Sequence, residues 1–135
     1  MAKPARTRSV SAAQVRAYAN KADEYATAAA SELTAKRCVA ATSLAIHAAI
    51  NAADAVCGAR LGHRAAAPDH DQVVALLNQA GKDGAAIATE LRRLLPLKTP
   101  TEYDPDTVAT SVATKAVERA QRCVIVARRV ANSIR

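Results

Sequence analysis

Residues 38–62 read CVAATSLAIHAAINAADAVCGARLG. Alanine dominates this segment, and alanine is the best helix former because it loses no side-chain entropy on folding. Val39, Ile46, Ile50, Ala53 and Cys57 recur at helical spacing within it. The spacing predicts a second helix from about Ala35 to Ala59, with Thr34 as its N-cap and that apolar stripe turned to a core. Gly58 and Gly62 bracket the expected C-cap region.

Toward the N-terminus, Ser11 and Gln14 form the S-x-x-Q pattern of a capping box. They predict a first helix from Ser11 to about Leu33, with Val15, Tyr18, Ala22, Tyr25 and Ala29 on one stripe. One continuous helix through Thr34 is the other reading. Residues 1–10 read as a disordered basic tail. Toward the C-terminus, residues 60–68 (RLGHRAAAP) read as a loop and Asp69 as the N-cap of a third helix. Val73, Leu76, Leu77 and Ala80 form its first apolar face. Gly81 and Gly84 predict a kink or break, after which Ile87, Leu91, Leu94 and Leu95 resume the pattern. Residues 96–104 (PLKTPTEYD) read as the longest loop. Asp104-Pro105 pairs an N-cap with proline at N1, which predicts a fourth helix from Pro105 to the C-terminus. Val112, Ala116, Ala120, Cys123, Ala127, Val130 and Ile134 line one side of it.

Composition excludes the sheet-rich classes. Half of the 135 residues are apolar, but aromatics make up only 2%, and only four glycines and five prolines supply turns. A sandwich or barrel needs many more β-branched, aromatic and turn residues. The expectation is an all-α, up-and-down antiparallel bundle of four to five helices, as one domain over residues 11–135. Alanine faces bury little area each, so a homodimer is expected to supplement the core.

The net charge is +7, a balance that favours a polyanionic partner. Three of those charges (Lys3, Arg6 and Arg8) fall in the first eight residues. Cys38, Cys57 and Cys123 are scattered and odd in number, which fits neither a disulfide framework nor a zinc site. Reduced thiols and a cytoplasmic location are expected, with no cofactor and no metal. No signal peptide is recognisable and no 18-residue uninterrupted apolar run occurs, so no membrane span is expected.

Three constellations are able to carry chemistry. His47, Asn51 and Asp54 share one side of the second helix at i, i+4, i+7 spacing. They read either as a polar site built on a histidine acid/base or as a hydrogen-bonded seam. Arg64, Asp69 and His70 flank the start of the third helix, where free N–H groups favour anions. Arg64 is placed to grip a phosphate and His70 to move a proton; the alternative is a solvated arginine, a cap and a first-turn histidine. His63, next to Arg64, is expected to be exposed. Lys115, Arg119, Arg122 and Arg129 form a basic stripe on the fourth helix, read as a phosphate contact or as an ordinary solvated face. P-loop, dinucleotide, nucleophile-elbow and H-E-x-x-H patterns are missing.

The segments ATSLAIHAAINAADAVCGARLGHRAAAPDH (41–70), QVVALLNQA (72–80) and LLPLKTPTEYDP (94–105) resemble small bacterial proteins of the HEPN family, the nucleotide-binding helical domains of higher eukaryotes and prokaryotes. The resemblance covers roughly residues 11–135. It implies an up-and-down bundle, often a homodimer. Many members are metal-independent ribonucleases with an R-x4-6-H motif, frequently toxins beside a nucleotidyltransferase antitoxin; others are binding modules. Arg64 and His70 match R-x5-H here, but Ala65 follows the arginine and the pair precedes the third helix. The resemblance therefore implies a module that binds a nucleotide, RNA or protein partner, in a toxin–antitoxin or defence setting. Asn51, Asp54, Asp69, Lys115, Arg119 and Arg122 would be its binding residues. The alternative it implies is an endoribonuclease. Arg64 would then stabilise phosphate and His70 act as acid/base on the 2′-OH, with His47 completing the site.

Overall fold

The computed structural model describes residues 6–66 and 69–134. Along the chain run β1 (Thr7–Ser9), α1 (Ala12–Thr34), α2 (Cys38–Leu61), β2 (His63–Ala65), α3 (His70–Gln79), α4 (Gly81–Leu94), a 3-10 turn (Leu95–Leu97), α5 (Lys98–Tyr103) and α6 (Thr110–Ser133). Among the described residues the fold is all-α apart from one two-stranded antiparallel ribbon.

At its centre lies α2. Ala41, Ala45, Ala48, Ala49, Ala52, Ala53 and Ala55 have no exposed surface, and the helix packs against α1, α6 and α4 while touching α3 and α5. A helix buried on several sides needs no polar face. The expected one-sided stripe is therefore corrected: Ile46, Ala53 and Cys57 are buried, but Ile50 is half-buried and Val39 is 42% exposed. By length and composition α2 is apolar enough to cross a membrane, and 61% of its most apolar window is buried inside the fold. Its apolarity serves the core. Ile46, Leu77, Ile87, Leu91 and Leu94 are the largest fully buried side chains in the cluster around it.

The predicted caps form where the pattern is local. Ser11 accepts from the Gln14 N–H, and the Gln14 side chain accepts from the Ser11 N–H, closing the capping box. Asp69 caps α3 by accepting from the Gln72 N–H at 3.1 Å. Gly81, at φ +73°, separates α3 from α4 as a break rather than a kink.

Four expectations change. Thr34 does not cap α2. Its hydroxyl donates back to the Ala30 carbonyl at 3.1 Å and it ends α1. Residues 35–37 then reverse the chain, with Lys36 in the left-handed region at φ +60°. Residues 6–10 are not a tail: Thr7, Arg8 and Ser9 pair with Ala65, Arg64 and His63, which also gives the expected 60–68 loop a strand. Val10 is buried because Gly58 leaves room for it; a Cβ on Gly58 would lie 2.6 Å from Val10 Cγ1. Residues 1–5 lie outside the described residues. The expected 96–104 loop contains a 3-10 turn and α5, whose Thr101 is buried. Finally, Asp104-Pro105 does not start the last helix. Asp104 is extended at the end of α5, as a residue before proline prefers, and α6 begins only at Thr110.

Gly84 sits in a tight corner between α3 and α4. A Cβ there would lie 2.0 Å from the Leu77 carbonyl oxygen and 2.7 Å from Ala80 Cβ. Gly84→Ala is expected to lower stability by about 1–3 kcal/mol, overriding the roughly 1 kcal/mol gain in helix propensity. Urea unfolding measures this, and an unchanged or higher midpoint would refute the tight α3–α4 corner.

Candidate functional site

The turn at residues 35–37 makes α1 and α2 antiparallel neighbours. Near the turn, the Tyr25 and His47 rings lie 5.6 Å apart, tilted by 30°. At the far end, Val15 packs against Gly58. Between these contacts, Tyr18, Lys21 and Tyr25 of α1 lie on the same side as His47, Asn51 and Asp54 of α2. β2 closes the end by placing the Arg64 guanidinium carbon 5.8 Å from the centre of the Tyr18 ring, a cation–π distance. The predicted trio on α2 is thus joined by three α1 residues and one strand residue.

Each polar group has a definite environment. His47 Nε2 is 3.7 Å from Glu102 Oε1 on α5. Asn51, nearly buried, donates from Nδ2 to the His47 carbonyl at 2.8 Å, so its amide is tied to its own helix. Burial pushes the Asp54 carboxyl up to about 6, against the opposing pull of Arg64 and Lys21. Burial also pushes the Cys57 thiol up to about 12, with Asp54 adding to the shift. Cys123 is raised to about 12 by burial as well. Both thiols stay protonated and behave as small hydrophobes. Arg64 Nη1 donates to the Ala65 carbonyl at 2.9 Å. His63, expected to be exposed, is half-buried, and its Nδ1 has no hydrogen-bond partner among the described residues.

Other expected site residues lie elsewhere. Asp69 is engaged as the α3 cap. His70 opens α3, but the acid/base role expected of it rests on a side chain outside the described residues. The arginines of the α6 stripe are engaged with α4: Arg122 holds Glu90 through two bonds of 3.2 and 3.1 Å, and Arg119 holds the same carboxylate at 3.2 Å. Arg129 and Arg60 both hold Asp83, at 2.6 and 2.9 Å, and their hydrogen bonds keep that carboxyl below its ordinary range. A phosphate at this stripe would have to displace carboxylates of α4. Lys115 is exposed and makes no ion pair among the described residues.

No protein-family model matches the chain, and no curated protein is significantly similar to it. The face along α1 and α2 therefore stands on its geometry. Sequence reasoning missed Lys21 and assigned Tyr18 and Tyr25 to the core. Both tyrosines are half-buried at its margin. The signal was available: residues 18, 21 and 25 fall at i, i+3, i+7 on one helical face.

Asp54 gives a pH prediction. Its pKa is higher in the fold than the ordinary 3.8, so the folded state favours the protonated carboxyl. Ionising it above pH 6 lowers stability, whereas below pH 4 the carboxyl is neutral in both states. Asp54→Asn should stabilise the protein at pH 7–8 by about 1–3 kcal/mol, and the gain should vanish as pH falls from 6 to 4. Thermal melts across this range are the measurement; a pH-independent difference would count against a desolvated carboxylate.

Proposed function

We propose that this chain is an HEPN-like helical module that binds ribonucleotides, free or within RNA, on the α1–α2 face without cleaving them. One observation carries the reading: the Arg64 guanidinium lies over Tyr18 on a face that also presents Lys21, Tyr25 and His47. Aromatic faces stack on bases, at about 1–3 kcal/mol per base. Nearby cations take the phosphates. On α6, by contrast, no aromatic residue interleaves with the arginines, and most of those are held by Glu90 and Asp83.

The engagement of the Asn51 amide with its own helix leaves it unable to orient a reacting group, which supports binding over catalysis. The HEPN resemblance adds a homodimer, which would place two such faces in one particle. Ionised Asp54 weakens the field for an anion, so affinity should rise as pH falls through about 6.

Fluorescence anisotropy with a labelled single-stranded oligoribonucleotide, with AMP as competitor, tests the proposal. Tyr18→Ala and Arg64→Ala should each weaken binding about tenfold or more, while Lys115→Ala leaves it unchanged. Competition by AMP assigns the site to a single nucleotide; its failure assigns it to the RNA strand. Absence of binding to both would overturn the reading. So would RNA cleavage in EDTA that His70→Ala abolishes, which would instead establish the endoribonuclease.

A further inference from the structure

A cavity of about 880 Å³ opens where the α1–α2 turn meets the connection from α5 to α6. Its volume falls within the range of about 300–1,000 Å³ usual for small-molecule sites. Cys38, Val39 and Ala40 form one wall. They are the first turn of α2, so their N–H groups have no partner within the helix; the first such bond runs from the Ala41 N–H to the Arg37 carbonyl. Arg37, the N-cap, provides no side-chain acceptor. The N-terminus of α6 is built alike. Its N-cap is Ala109, which has no side-chain acceptor, and Thr110 lines the same cavity with its Oγ1 3.7 Å from Cys38 Sγ.

Two 24-residue helices thus bring their uncapped, partially positive ends together. Like dipole ends side by side repel, and an anion between them offsets this. A separate observation points the same way. Thr101 is 7% exposed and lines the cavity, yet its hydroxyl makes no hydrogen bond among the described residues. Lys36 adds a cation with no ion pair among those residues, whereas Arg37 is paired with Glu32. The Glu102 carboxylate, also on the wall, lies 3.7 Å from His47 Nε2 and is the one negative charge among the lining residues. Val39 and Val108 make part of the lining apolar.

We propose that this cavity binds a small organic phosphate. Its phosphoryl oxygens would accept from the first-turn N–H groups of α2 and α6 and from the Thr101 hydroxyl, and its apolar body would lie on Val39 and Val108. The proposal is independent of nucleotide binding at the α1–α2 face.

Phenyl phosphate, inorganic phosphate and phenol, each titrated into the full chain by calorimetry, test it. Phenyl phosphate should bind about tenfold or more tightly than either fragment of its chemistry. It should also slow the reaction of Cys38 with a disulfide reagent, a selective readout because Cys57 and Cys123 are buried. Thr101→Val should weaken binding about tenfold, the worth of one hydrogen bond to a charged group. Lys36→Gly should weaken it too, while melting no lower than the parent, because glycine accepts the φ of +60° freely. Tyr18→Ala should bind phenyl phosphate normally. The proposal is overturned if phenyl phosphate neither binds nor protects Cys38, if inorganic phosphate binds equally well, or if Thr101→Val and Lys36→Gly bind like the parent.

Discussion

Close approach to α2 is the constraint on which the other elements depend. Seven of its alanines are wholly buried, so much of its surface is backbone and methyl groups. Each alanine removes little area from water, and stability must come from neighbours that pack near the backbone. The larger side chains of α3 and α4, among them Leu77, Ile87, Leu91 and Leu94, fill what α2 leaves open. Gly58 and Gly84 carry the same logic to its limit, since each stands where even one methyl group would collide with a packed neighbour. A core of this kind has few long side chains able to change rotamer and absorb an added atom.

The same constraint determines where chemistry is possible. A helix enclosed on several sides has little room for polar residues: Thr42 and Asn51 are buried, and His47 and Asp54 lie toward the margin. Asp54 feels the burial most, which is why its carboxyl is raised although Lys21 and Arg64 act on it. The arginines of α6 show the opposite outcome. They lie beside Glu90 and Asp83 of α4, and ion pairing there joins α4 to α6. The positive side chains are therefore not evenly available to a polyanion: several are held by carboxylates, whereas Lys21 and Arg64 lie where aromatic rings accompany them.

Features set by neighbours in sequence were legible without coordinates. The Ser11–Gln14 box, the Asp69 cap and the break at Gly81 each involve a few adjacent residues, and each formed. The buried faces of α3 and α4 were legible because large apolar residues alternate there with polar ones. On α2 the periodicity failed: where nearly every residue is apolar, a stripe has no contrast. The β1–β2 pairing was hidden because Arg8 meets Arg64 only after α1 and α2 have brought them together. Asp104-Pro105 has the sequence of a helix start, but Asp104 terminates α5 and the chain stays non-helical up to Thr110. In the candidate site, the α2 half was readable from its spacing. Arg64 was singled out from the sequence too, but its meeting with Tyr18 was not, because that depends on the antiparallel register of two helices and on the β1–β2 pairing.

That register also makes the two ends of α2 electrostatically unlike. At its C-terminus, where carbonyls collect partial negative charge, Arg60 lies in the last turn and Gly62 closes the helix in the left-handed conformation. That arrangement is favourable by the helix's own dipole. At its N-terminus the signs are reversed: no acidic residue stands in the first turn, the cap supplies no side-chain acceptor, and Lys36 adds positive charge, while Arg37 is paired with Glu32. Asp, Asn, Ser or Thr at position 37 would satisfy one of these N–H groups directly, typically worth about 1 kcal/mol. Burial of the rest of α2 keeps the helix formed without that contribution. The uncapped end of α2 therefore faces the cavity with its N–H groups free, and the uncapped end of α6 lies at the same place.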